Sequence, residues 1–360
     1  MAYVIAYDIG TTVVKTCIFD VGSEIRYVAG ESAGYPLYIG ENGEAEQDPD
    51  EWWAAMCQTT RAALRSAGLQ PEQIEAISFC SQMQGLVRVD RAGTALRRAM
   101  SYMDLRARAE LAACMGGGLQ IAGGNAVKVL TSLRINCATS VSVKDPIWKY
   151  KWVEAHEPEV FSKVHRWLDV KDYLVSHCTG DPVMTEDSAF ATMIADTRQE
   201  RMSWSERLCT MYGVHTEHLA PIIKVTDRAG TLTPRAAEQL GLAEGTPVFG
   251  GGGDASLVGV GAGCVKPGQT HIYSGTSGWV STVVDKQLVD PTYMIASPVG
   301  AVSGCYNYFA EMETAGKCLE WARDHLALDE VGVYLEARDV TSGSEAEYTT
   351  LYDYMSDVIR

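Results

Sequence analysis

Phe249-Gly-Gly-Gly-Gly-Asp254-Ala-Ser256 is the stretch on which the reading of this chain turns. Four consecutive glycines, Gly250 to Gly253, lose much backbone freedom on ordering and offer no side chain to bury. They read as a flexible linker or tight turn between two elements, or as backbone cleared for a ligand beside the Asp254 carboxylate. The context favours the second reading. The run follows an apolar entry, Thr246-Pro-Val-Phe249, and leads into Ser256-Leu-Val-Gly-Val-Gly-Ala-Gly263, a small-residue segment suited to close helix packing. Beyond it, Tyr273-Ser-Gly-Thr-Ser-Gly278 is a second hydroxyl-and-glycine turn after a strand-like run. Two such turns around one carboxylate point to phosphoryl transfer.

The N-terminus carries a comparable arrangement. Tyr3-Val-Ile-Ala-Tyr-Asp8 reads as a short strand, Ile9-Gly-Thr-Thr12 as a tight turn, and Val13 to Asp20 alternates into a second strand. The product is a β-hairpin with a carboxylate at its tip. Gly10 lets the backbone turn, Thr11 and Thr12 offer donors to a phosphate, and Asp8 can hold a metal through water. A plain hairpin loop uses the same residue types. Glu24–Val28 follows as a third strand. Asp48-Pro49 then opens a helix with a carboxylate cap and a first-turn proline, and Gly68 stops it. Within that helix Trp52 and Trp53 are expected as core anchors.

Glu75 to Cys80 is another strand, followed by Ser81-Gln-Met-Gln-Gly85 and a return strand, Leu86 to Val89. Polar amides and a methionine beside a glycine at a strand end suit a hydroxylated ligand, and suit equally a hairpin loop whose glutamines cap backbone groups. Asp104 and Arg106, two apart in extended chain, read as an exposed ion pair or as contacts to sugar hydroxyls. Residues 114–126 form a glycine-rich loop, 146–177 are mainly helical, and 234–242, 311–321 and 348–360 are further helical stretches.

The chain has 360 residues, 46% of them apolar and 21% charged, enough for two domains with a sizeable core. A formal net charge of −16 leaves no basic footprint for nucleic acid or an anionic membrane, so a small neutral substrate is the easier partner. Ten cysteines are scattered singly, without C-x-x-C spacing, and read as reduced core thiols of a cytoplasmic protein. No apolar run approaches the length of a membrane span, and no leader-like segment opens the chain.

Taken together, the sequence resembles the FGGY family of carbohydrate kinases, most of all its xylulokinase branch. The resemblance rests on Asp8-Ile-Gly-Thr-Thr12, Glu46-Gln-Asp-Pro-Asp-Glu-Trp-Trp53, Ser81-Gln-Met-Gln-Gly85, Met103-Asp-Leu-Arg106, Lys171-Asp-Tyr173 with Thr179-Gly180, Asp187-Ser188, Gly251-Gly-Gly-Asp254 and Ser274-Gly-Thr-Ser-Gly278, in this order along the chain. It implies an α/β protein of two ribonuclease-H-like domains of the actin and hexokinase type with a central cleft. The first domain would cover 1–246 and the second, incomplete, 247–360.

The resemblance further implies ATP-dependent phosphorylation of a sugar, D-xylulose foremost, with magnesium. Asp254 would be the general base and Asp8 the magnesium support. Gly10, Thr11, Thr12 and Lys15, with Gly275, Thr276 and Ser277, would hold phosphates. Gln82, Met83, Gln84 and Asp104, with Asp254, would line the sugar site. The chain departs from the xylulokinase pattern at Gln84, where histidine is usual, and at Ala255, where asparagine is usual. It also ends before the glycine-rich adenosine motif, so a truncated second domain is expected. A kinase for another ketose or polyol, and a non-catalytic sugar-binding fragment, are the alternatives. The expected partner is a small sugar, with a homodimer as an open option.

Overall fold

The computed structural model describes residues 2–198, 202–275, 278–290, 293, 295–312 and 315–325. Strands β1 (Tyr3–Ile9) and β2 (Val13–Val21) form the expected antiparallel hairpin, and β3 (Ile25–Gly34) pairs with β2. In β1 the alternate residues Ile5, Tyr7 and Ile9 are buried, which is the period-two pattern of a strand with a core-facing side. Helix α1 (Pro49–Ala67) starts where its cap residues say it should. Asp48 accepts from the Asp50 amide at 3.0 Å, and Gly68 ends the helix at φ +66°. Trp52 is fully buried on the face turned to the sheet. Two hydroxyl contacts, Tyr7 to Thr60 (2.9 Å) and Thr16 to Thr59 (2.7 Å), satisfy the polar atoms trapped between sheet and helix.

Further along come β4 (Ile74–Ser81), α2 (Pro146–His156), α3 (Val170–Thr179), α4 (Glu186–Ala191), β5 (Arg228–Thr231), β6 (Pro247–Phe249), β7 (Gly252–Gly253) and α5 (Asp254–Gly261). The main sheet has seven strands in the order β5-β6-β4-β1-β2-β3, with β7 also paired to β4. Strands β1, β6 and β7 all run parallel to β4, so their carboxyl ends lie along one edge. A second apolar cluster, containing Leu86, Met100, Trp148, Tyr150 and Trp167, packs beside the sheet's own core. The return strand expected after Gly85 exists as Val87–Val89, but it pairs with Arg166–Leu168 rather than folding back on β4. Its partner lies on a segment remote in sequence, which no local pattern reveals.

A separate three-stranded sheet has the order β8 (Thr270–Ser274), β9 (Gly278–Val284), β10 (Tyr306–Met312). The chain divides into two compact units, one of residues 1–269 and 282–308, the other of 270–281 and 309–360. In the second unit Trp279 stacks on Tyr273 with ring centroids 4.0 Å apart and donates to His271 Nε2. The boundary expected at 246/247 is not marked by a break in the main sheet, since β6 and β7 on its far side both pair with β4. The helix expected from residue 311 begins later, as α6 (Gly316–His325), because β10 continues to Met312. The helical stretch expected over 348–360 lies outside the described residues.

Candidate active site

The glycine run is a strand bulge. Val248 pairs with Ile77 and Gly252 with Cys80, so four steps on one strand match three on the other and one residue is extra. The run absorbs it at Gly250 and Gly251, whose amides donate to Asp227 and Val225 carbonyls. Gly251 has φ +66°, and a Cβ there would sit 2.0 Å from the Phe79 carbonyl oxygen. A Cβ on Gly253 would meet Met83 Sδ at 2.1 Å. The side-chain space is therefore taken by the protein itself, which corrects the expectation that the glycines clear room for a ligand.

What the bulge achieves is the placement of Asp254. Asp8 on β1 and Gly252 on β7 are both register partners of Cys80, one on each side of β4. Two strand spacings, about 10 Å, separate them. Asp254 follows at the first turn of α5, where a carboxylate complements the helix dipole, and accepts from the Ala255 amide at 2.8 Å. Between the two acids Cys80 is a half-buried neutral thiol, pushed well up first by desolvation and then by the carboxylates of Asp8, Asp254 and Asp187. The carboxyl edge of a parallel sheet is where open α/β folds bind ligands.

A buried ionic network holds this turn from behind. Gly253 donates its amide to Asp187 Oδ2 at 2.7 Å, and Asp187 Oδ1 accepts from the Thr185 hydroxyl (2.6 Å) and the Ser188 amide (2.9 Å). Lys171 Nζ donates to Asp172 Oδ1 (2.7 Å), Ser188 Oγ (2.9 Å) and the Thr185 hydroxyl. Burial opposes the charge on Lys171, but Asp172 and Asp187 outweigh it and hold the ammonium above its ordinary value. Sequence reasoning quoted Lys171 and Asp187 without giving them a role. For Lys171 a signal was present, since it and Asp172 stand within the largely apolar segment Val170 to Val175 and such residues are rarely buried unless paired; Asp187 had none of that kind.

The hairpin tip is braced on three carbonyls. Gly10 O accepts from Tyr35 Oη and from Gln82 Nε2 (3.1 Å), Thr11 O from Gln47 Nε2 (2.6 Å), and Thr12 O from the Tyr35 amide (2.9 Å). Lys15, directly across the hairpin from Asp8, pairs with it at 3.0 Å, and both side chains are open to solvent at 59% and 40%. An accessible single carboxylate beside a tight turn fits magnesium, which typically takes one or two carboxylates together with substrate phosphates.

Two expected sugar contacts are used internally instead. Gln82 is 4% exposed and braces Gly10 and Gln47. Asp104 is fully buried, accepting from the Ala45 amide (2.9 Å) and from Arg106 Nε and Nη2. Arg106 continues to Glu46, and Arg97 joins Glu46 and Glu157, so the expected exposed ion pair is an interior network. Met83 and Gln84 are half-buried, Met83 over Gly253 and Gln84 in the next position. Gly275 directly follows β8 in the second unit, and its carbonyl accepts from the Gly316 amide (2.8 Å). Thr276 and Ser277 lie outside the described residues.

No helix among the described residues is long and apolar enough to cross a membrane. Residues 3–261 match the pattern of the FGGY family of carbohydrate kinases, N-terminal domain. The chain is 31% identical over 280 residues to the xylulose kinase of Bacillus subtilis, covering 77% of this chain and 53% of that protein. It is 26% identical to the gluconokinase of the same organism, covering 92% of this chain and 61% of that one. It is also 27% identical to the autoinducer-2 kinase of Yersinia enterocolitica, at 99% and 67% coverage. The chain thus spans roughly half to two-thirds of the length of these relatives. In fold it resembles the ligand-bound xylulose kinase of Lactobacillus acidophilus, with a TM-score of 0.79 at 24% identity over 94% of this chain and 66% of that one. The order of motifs, the carboxylates on either side of β4 and the match across residues 3–261 have one source: the chain belongs to the FGGY family of carbohydrate kinases.

Proposed function

We propose that this protein phosphorylates a small neutral sugar from ATP, with D-xylulose the foremost substrate and Asp254 the general base. The observation that carries the reading is the convergence of Asp8 and Asp254 on one sheet edge, Asp8 opposite Cys80 on one side of β4 and Asp254 two residues beyond Gly252, which lies opposite Cys80 on the other. Asp254 accepts the proton of the sugar hydroxyl as its oxygen bonds to the terminal phosphorus and the bond to the departing ADP breaks. Asp8 would hold magnesium, which would supply charge neutralisation at the phosphates, and Gly10, Thr11, Thr12 and Lys15 are the residues that would hold those phosphates. Met83 and Gln84 border the sugar. Positioning and charge neutralisation account for most of the catalysis in this chemistry. Xylulose is favoured by the B. subtilis relative at 31% identity, and gluconate is the runner-up on the gluconokinase likeness. A cytoplasmic location accords with ten free cysteines.

The test is coupled ADP release with D-xylulose, D-ribulose, gluconate and glycerol. Turnover highest on D-xylulose is the expected result. Turnover confined to gluconate overturns the xylulose assignment and keeps the kinase. Sugar binding without ADP release on any substrate favours a sugar-binding chain that does not catalyse transfer.

A further inference from the structure

The loop leaving β4 contains a strained residue. Gln84 has φ +60°, the left-handed region that favours glycine, and a non-glycine residue held there typically costs about 1–3 kcal/mol. Strain of that size persists only where the surroundings enforce it, and here the enforcing groups can be named. The Gln84 amide donates to Asp169 Oδ2 at 3.0 Å and the Gly85 amide to Asp169 Oδ1 at 2.9 Å. From the other side Lys149 Nζ donates to the Gln84 carbonyl at 2.9 Å. Lys149 comes from α2, and Asp169 is the residue that caps α3 through the Val170 amide at 2.8 Å.

Both gripping groups are buried, Lys149 completely and Asp169 nearly so. Burying two ionisable groups is expensive, whether as desolvated charges or as shifted protonation equilibria, and a simple loop turn does not require it. The 84–85 peptide is also pressed against α3, since a Cβ on Gly85 would meet Val170 Cγ2 at 2.7 Å. The result is a fixed angle for the two residues ahead of it. Met83 lies over Gly253, immediately before Asp254, and Gln84 follows it.

We propose that Asp169 and Lys149 are positioning residues: they clamp the Gln84 backbone in its left-handed conformation and so set sugar affinity and choice beside Asp254 without touching the sugar. This rests on the sugar-kinase reading above. The strain gives the proposal a specific signature. Asparagine tolerates the left-handed region far better than glutamine and keeps the amide group. Gln84→Asn should therefore compensate for a weakened clamp, which a merely structural role for Asp169 or Lys149 does not predict.

The experiment uses the full chain with Lys149→Met, Asp169→Asn, and each combined with Gln84→Asn. Sugar affinity is measured by calorimetry with the sugar that gives turnover, and amide exchange is followed at Gln84 and Gly85. The expected result is a loss of tenfold or more in affinity for each single variant, faster exchange at those two amides, and recovery of at least threefold on adding Gln84→Asn. Parental affinity in folded Lys149→Met and Asp169→Asn, or no recovery in the double variants, overturns the proposal. Should Lys149→Met fail to fold, Asp169→Asn carries the same comparison, since its remaining carbonyl oxygen can still cap α3. A parent that turns over ATP on no sugar and binds none overturns the function reading itself. Exchange then decides the clamp: unchanged protection in Asp169→Asn refutes it and lost protection upholds it.

Discussion

Two turns at the candidate site are supported by two fully buried lysines, and the supports differ in kind. Beneath the glycine run, the left-handed residue is a glycine, Gly251, and Lys171 is surrounded by acceptors from Asp172, Thr185 and Ser188, with Asp187 Oδ1 at 3.9 Å. Beneath Met83-Gln84, the left-handed residue carries a side chain, and Lys149 donates to one neutral carbonyl while Asp104, Asp145 and Asp169 act on it through space. Lys171 is accordingly held above the ordinary lysine value. Lys149 is pushed by burial down to about 7, and the three carboxylates only partly offset that, with Lys144 adding to the depression. Burial alone does not determine whether a lysine keeps its proton; the number and closeness of its anionic partners do. The turn that presents Asp254 is thus tied to a charge that does not change near neutral pH, and the turn that carries Met83 and Gln84 to one that does.

The largest expected effect separates chemistry from support. Asp254→Ala should lower turnover by about 10²–10⁴, the usual loss for a positioned general base, with sugar affinity within severalfold of parental and little change in melting temperature. Near-parental turnover in that variant, shown to be folded, would remove Asp254 from the mechanism. Lys171→Met leaves Asp172 and Asp187 buried with no cation against them, a change that typically costs about 3–5 kcal/mol of stability in denaturant titrations. A loss below 1 kcal/mol would mean that the network is not the support described.

The two left-handed residues predict opposite outcomes for simple substitutions. Gly251→Ala places a methyl against the Phe79 carbonyl at a positive φ and should destabilise by roughly 2–4 kcal/mol. Gln84→Gly relieves strain while loosening the unfolded chain, so its effect on stability should stay within about 1 kcal/mol, seen as a small shift in the thermal transition. Equal losses at both positions would erase the contrast between the turns.

The smallest effect is a difference in pH dependence between the lysines. The folded state holds the Lys149 proton less tightly than the unfolded chain, so unfolding takes up a proton between about pH 7 and the ordinary 10.5, and stability from this group rises with pH through that window. From pH 7 to 9 the gain is roughly 2 kcal/mol at 1.36 kcal/mol per pH unit, reduced near the lower end. The raised Lys171 contributes fully below 10.5 and is lost only above it, so it is flat over the same range. Stability differences from the parent should therefore grow between pH 7 and 9 for Lys149→Met and stay constant for Lys171→Met. Asp145 and Asp169, pushed up by burial to about 7, interact with Lys149 and do not cancel; losing the lysine raises them further, which widens the same difference. Parallel curves for the two variants would show that Lys149 keeps its proton.

Elements whose cause is local were legible in the chain. The Tyr3–Ile9 and Val13–Val21 hairpin follows from alternation around a glycine turn, and α1 from Asp48-Pro49 at one end and Gly68 at the other. The two acids of the site, Asp8 and Asp254, were likewise readable, because each sits at a change of local structure that glycine residues mark. The family resemblance was legible for the same reason, being carried by short motifs in fixed order. Tertiary structure alone decided where the side chains of the polar motifs point. Gln82 and Asp104 turned inward because partners far away in sequence, Gly10 and Ala45, present backbone groups to them. The glycine run became a bulge because Phe79 occupies the space beside it, and Lys149 and Lys171, alike in sequence, came to differ in charge because folding placed a carboxylate within 2.7 Å of one and a neutral carbonyl within 2.9 Å of the other. Short-range pattern specifies conformation, whereas hydrogen-bond partners and electrostatic surroundings depend on residues that only the closed chain brings together.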